Sequence, residues 1–247
     1  MDNINRRVVI LSDSRGAGLQ DILDINPYLD YTVKSWGGHS IMPVTLKGLN
    51  IIEEKQPSLV IVFAGITQIT KVLSHYNPWK IIVRKKSTRN HIEDFLDDVE
   101  LSNQTITDHC NDKYIEVPKV IYSTITGADL SKYNKVNYRD YDQDKLNYII
   151  EQVNRGIIDF NSRSPILYTP WCSKFCHRYK QGKYSHKFKA LYDGLHGEQV
   201  IREKWANELH IAAIKTLGLN EYIDPKHIKI TVPHNTESEH ESDRDDK

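Results

Sequence analysis

Leu59-Val60-Ile61-Val62-Phe63-Ala64 is an unbroken apolar run containing three β-branched residues. A run this short, with no polar alternation, reads as a strand covered on both faces, as in a parallel sheet between helical layers. Arg7–Leu11, Pro118–Ser123 and Ser164–Thr169 read the same way, and Tyr31–Ser35 is a weaker fifth strand. Between these runs lie helix-length segments: Gly16–Leu23, Pro43–Lys55, His91–Cys110, Tyr141–Asn161 and Gly197–Leu217. Within Tyr141–Asn161, Leu146, Ile149, Ile150, Val153 and Ile157 recur at helical spacing, so one face of that helix packs on the sheet. Strands alternating with helices predict an α/β three-layer sandwich with a central parallel sheet.

Length and charge narrow the function classes. A chain of 247 residues with formal net charge +0 can build one full α/β core, and it offers no bulk electrostatic capture of nucleic acid. We expect a single domain over 1–230. From Thr231 onward the chain turns polar and acidic, and 231–247 is expected to be a disordered tail. No stretch approaches the length of a membrane span, and Met1–Arg7 leads into a strand rather than a signal peptide, so a cytoplasmic location is expected. The 3 cysteines, Cys110, Cys172 and Cys176, cannot all pair, which fits a reducing compartment. Cys172, Cys176, His177 and His186 do not form two well-spaced ligand pairs, so no zinc site is expected. Two stretches read as long loops: Ser74–Arg89 and Thr126–Asn137.

Chemistry-bearing residues gather where strands end. Ser12-Asp13-Ser14 follows the first strand, Gly37-Gly38-His39-Ser40 the weak one, and Gly65-Ile66-Thr67-Gln68 the apolar run; Asp193-Gly194-Leu195-His196 precedes the last helix. In open α/β sheets ligands bind at the carboxyl ends of the strands. Each segment has a plainer reading: Asp13 and Ser14 are favoured helix N-caps, and the glycines serve tight turns. A hydroxyl, a carboxylate and an imidazole are nevertheless the parts of a serine hydrolase, in one of the chain orders such enzymes use.

Taken together, these blocks resemble the SGNH, or GDSL-type, hydrolase family over about Arg7 to Leu217, and more narrowly the SGNH esterase domains carried by some transposable elements and viruses. The resemblance implies a flavodoxin-like sandwich and a serine esterase, an acetylesterase or related acyl-ester hydrolase, needing no metal or organic cofactor. Ser14 would be the nucleophile, His196 the base and Asp193 its partner. The N–H groups of Ser14 and Gly38 would form the oxyanion hole. Thr67 stands where the family carries the third donor, an Asn, and Gln68 where it carries an Asp; Ser12 replaces a Gly. Gln68 and His39 are further candidates for substrate contact. The substrate would be a small-molecule or glycan ester.

Trp171–Lys189 interleaves basic and aromatic residues just before the Asp193 block. It reads either as a solvated loop with aromatic anchors or as a groove for an anionic glycan or nucleic acid. The second option supplies the alternative function: a catalytically silent protein of the same fold that binds such a ligand.

Overall fold

The computed structural model describes residues 6–73, 80–135, 140–175, 177–180, 183–186, 191 and 193–222, with backbone alone at 140–141, 177–180 and 183–186. The segment proposed as an acidic tail lies outside them. Four parallel strands form the central sheet: β1 (Arg7–Ser12), β2 (Asp30–Ser35), β3 (Leu59–Phe63) and β6 (Lys119–Tyr122), in the order β2-β1-β3-β6. The register aligns Ser12 with Ser35 on one side and Phe63 on the other, and Val62 with Tyr122. The loops leaving β1, β2 and β3 therefore emerge side by side.

Strand alternation divides the core into two halves. Val9, Leu11, Val60, Val62, Val120 and Tyr122 face one layer, built from α2 (Ile41–Lys55), α4 (Thr88–Asp112) and α6 (Asp140–Ser162). Val8, Ile10, Leu59, Ile61, Phe63 and Ile121 face the other, where α1 (Leu19–Leu23) and α7 (Gln199–Thr216) lie. This is the expected three-layer sandwich. Burial of both faces is what removes polar alternation from β1 and β3.

Four expectations need correction. Ser164–Thr169 is not a strand. Its place beside β6 is taken by side-chain amides of α6: Asn161 accepts from the Tyr122 N–H at 3.1 Å and donates to the Tyr122 carbonyl at 2.8 Å. Asn154 does the same for Ile125, at 2.7 and 3.0 Å. The Tyr122 groups at the end of β6, and those of Ile125 just after it, are thus satisfied by side chains and not by a neighbouring strand. The Tyr168 N–H instead donates to Thr216 Oγ1 at 3.1 Å.

The helix expected from Gly16 begins only at Leu19, because Ser14–Gly16 forms a 3-10 turn. The supposed loop Ser74–Arg89 contains β5 (Lys80–Val83), which pairs antiparallel with β4 (Thr70–Leu73); β4 follows α3 (Ile66–Ile69). The supposed loop Thr126–Asn137 contains α5 (Leu130–Asn134), capped by the Asp129 carboxylate accepting from the Lys132 N–H at 2.9 Å. The remaining strands, β7 (His177–Lys180) and β8 (Lys183–His186), form a separate antiparallel pair.

Candidate active site

The 3-10 turn after β1 sorts two adjacent side chains into different jobs. Asp13 Oδ1 accepts the Arg15 N–H at 3.0 Å and caps the turn, the role that the helix-cap reading gave to both residues. Ser14 Oγ points instead to His196 Nε2, 2.9 Å away. Gly16 permits this tight return, since a Cβ there would lie 2.4 Å from Ser12 Cβ. Burial raises the Asp13 carboxyl above its ordinary value, and the Arg15 charge with the N–H groups of Arg15 and Gly65 opposes that rise.

On the far side of the imidazole, His196 Nδ1 lies 2.6 Å from Asp193 Oδ2. A carboxylate only accepts, so the ring proton belongs on Nδ1, and Nε2 is left to accept from the Ser14 hydroxyl. Asp193 Oδ1 meanwhile accepts the N–H groups of Leu195 and His196 at 2.9 and 2.7 Å. Burial pushes the Asp193 carboxyl up. The His196 ring, the two N–H groups and the imidazole charge outweigh it and bring it down to about 2. Asp193 is therefore ionised throughout the neutral range.

The glycine turn after β2 reaches the same place: a Cβ on Gly37 would lie 3.8 Å from Ser14 Cβ. Gly38 takes φ +74°, a conformation that favours glycine. His39 follows, with Nδ1 2.8 Å from the Gly37 carbonyl oxygen, at the exposed side of the turn.

The third block divides. Thr67 Oγ1 is buried and has no hydrogen-bond partner. Gln68 is turned to α4, where its amide donates to Asp98 Oδ2 at 2.5 Å and to the Asp94 carbonyl at 3.4 Å. Ser12, the other departure from the family pattern, donates to the Phe63 carbonyl at 2.7 Å and so ties β1 to β3.

Sequence reasoning missed the groups that hold the Asp193–His196 turn. Gly194 takes φ +90°, and a Cβ there would lie 2.6 Å from the Asp129 carbonyl oxygen. The Asp129 N–H donates to the Gly194 carbonyl at 2.7 Å. Gly197 backs onto the fully buried Trp205, whose ring would be 2.9 Å from an added Cβ. The signal for these contacts was the pair of glycines flanking Leu195-His196, which mark close approach without naming what approaches.

Of Trp171–Lys189, Lys174 forms an ion pair with Glu208 and lies over the Phe175 ring. Cys172 is buried in the core. Cys176 and the side chains of His177 and His186 lie outside the described residues. Among the described residues, no group of His, Cys, Asp or Glu could hold a metal ion, and no helix is long and apolar enough to cross a membrane.

Sheet order and layers define an α/β sandwich, with the serine–histidine–aspartate line at the carboxyl edge of its strands. Solved structures of this architecture include a GDSL-like lipase from Bacteroides thetaiotaomicron, with 14% identity, 85% of this chain and 89% of that one covered, and a TM-score of 0.58. A lipase/acylhydrolase from Enterococcus faecalis has 19% identity, with 85% and 95% covered and a TM-score of 0.57. The chain has the fold of the SGNH, or GDSL-type, hydrolases. No family model and no curated protein matches it, and the structural likenesses add nothing to the narrower resemblance to transposon and viral domains.

Proposed function

We propose that the chain is a serine hydrolase of acyl esters, with Ser14, His196 and Asp193 as its catalytic residues. The observation that carries this reading is the continuous line Ser14 Oγ to His196 Nε2 at 2.9 Å and His196 Nδ1 to Asp193 Oδ2 at 2.6 Å. Both distances fall within the reach needed for proton transfer. The structures it is similar to include a lipase and a lipase/acylhydrolase.

In this mechanism Ser14 Oγ attacks the ester carbonyl while its proton passes to His196 Nε2. Ionised Asp193 holds the imidazole in the Nδ1–H tautomer and offsets the charge it gains. Collapse of the tetrahedral intermediate gives the acyl-serine, and His196 returns the proton to the departing alcohol. Water repeats the sequence and frees the acid. The Ser14 and Gly38 N–H groups receive the oxyanion, with the Thr67 hydroxyl as a third donor.

A fluorophosphonate probe tests this, because it reports an activated serine whatever the natural ester. Wild type is expected to label, and Ser14→Ala and His196→Ala to lose labelling. A folded wild type that does not label refutes the reading and favours a silent binding protein.

A further inference from the structure

We propose that Gln143, on α6, is a positioning residue for the Asp193–His196 pair, acting through the segment 128–130; the catalytic half of this claim rests on the hydrolase reading above. The Gln143 amide bridges that segment from both ends. Its Oε1 accepts the Leu130 N–H at 2.9 Å and its Nε2 donates to the Ala128 carbonyl at 2.8 Å. The residue between them, Asp129, donates its own N–H to the Gly194 carbonyl at 2.7 Å. Gly194 lies inside the turn whose ends are Asp193 and His196. One side chain thus fixes both neighbours of the N–H that fixes the relay.

Three features make this path stiff. Ala128 and Leu130 are fully buried, so the segment cannot slide without opening the core. Gly194 is packed against the Asp129 carbonyl and the Tyr133 N–H, leaving no room for a Cβ. Lys132 Nζ donates to the Leu191 carbonyl, and Leu191 bridges to Gly197, just after His196. A displacement of Asp129 is therefore passed to the turn rather than absorbed.

Gln143 is also separable from the core. It is part-buried on the helix, and its third bond is to Asn147 Oδ1 at 2.9 Å, one turn along the same helix. Asn154 and Asn161 make comparable bridges to Ile125 and Tyr122, but Tyr122 ends β6 and Ile125 lies just after it, both earlier in the chain than the segment 128–130. Gln143 is the member of this amide series that touches the segment bonded to the relay.

The test uses the full chain with 15N-labelled histidine. The low-field Nδ1–H signal of His196, identified by its loss in His196→Ala, reports the bond to Asp193 whether or not the protein turns over. Gln143→Met keeps length and removes both bridges; Gln143→Glu keeps the acceptor for Leu130. In Gln143→Met the signal should move toward that of an unbonded imidazole, and fluorophosphonate labelling of Ser14 should slow by about tenfold, the scale of a sub-ångström misplacement. Gln143→Glu should fall between this variant and wild type.

A merely structural role would lower the melting temperature and leave the His196 signal of the folded protein in place. An unmoved signal in either folded variant overturns the proposal, and so does a wild type with no bonded Nδ1–H. Should Gln143→Met fail to fold, Gln143→Glu decides. A wild type that shows the signal but does not label sinks the hydrolase reading alone, and the variants still decide the positioning claim.

Discussion

Replacing Gly194 by Ala should damage the relay more than the fold. An added Cβ would sit 2.6 Å from the Asp129 carbonyl oxygen, 2.8 Å from the Tyr133 nitrogen and 3.1 Å from Lys132 Cβ. The closest of these falls about 0.8 Å short of ordinary van der Waals contact. Two of the three atoms are backbone, so they cannot rotate away. The φ of +90° adds strain for any residue with a Cβ, about 1–2 kcal/mol, and overpacking adds about 1–3 kcal/mol. A central total of about 3.5 kcal/mol corresponds to a fall of roughly 7–14 °C in Tm for a chain of this size. The displacement falls between Asp193 and His196, where a shift approaching 1 Å can cost about 10²-fold in rate. Gly218→Ala is the matched control: its φ is +74° but nothing lies within 4 Å of an added Cβ. It should pay the strain alone and label at the wild-type rate. The assay is the fluorophosphonate labelling rate beside a thermal melt. A Gly194→Ala protein that labels as fast as wild type, or melts where Gly218→Ala does, refutes the argument that α5 braces the relay.

Three further outcomes are expected. Thr67→Asn, which places amide donors where a buried hydroxyl has no partner, should speed labelling by about tenfold or more, with about 10²–10³, the scale of one full oxyanion donor, as the upper end. Gln68→Ala should leave the rate unchanged, because that amide is held by Asp98 and Asp94; equal rates in wild type and Thr67→Asn would remove Thr67 from the donor set. The Asp193 carboxyl is lowered from 3.8 to about 2, so the stability it adds is complete above its ordinary range and is lost as pH falls through about 2. Urea melts should accordingly show the advantage of wild type over Asp193→Asn holding from about pH 7 to 5 and shrinking between about pH 4 and 2; an advantage undiminished at pH 2 contradicts the assignment.

What the sequence could and could not reveal follows from where each satisfying group resides. β1 and β3 were legible because burial on two faces writes itself into consecutive residues, as in Val60-Ile61-Val62. Ser164–Thr169 misled for the complementary reason. Apolar and β-branched content marks a segment that is able to pair, but pairing needs open backbone groups, and those of Tyr122 at the end of β6 are taken by Asn161, from a helix otherwise read by its apolar stripe. A polar residue within a helical stripe carries no mark of what it bonds.

The site divides along the same line. Ser14, Asp193 and His196 could be singled out because their chemistry is rare in combination and each stands at an element boundary. The groups that orient them, Asp129 through its N–H and Gln143 through its amide, act by position and not by chemical type. Any residue but proline could supply the Asp129 N–H, so no substitution pattern visible in one sequence would point to it. Gly194 is the exception that links the two sets. Its positive φ and crowded Cβ position are the trace that the bracing leaves in the sequence, an invitation to ask what stands so close behind the Asp193–His196 turn.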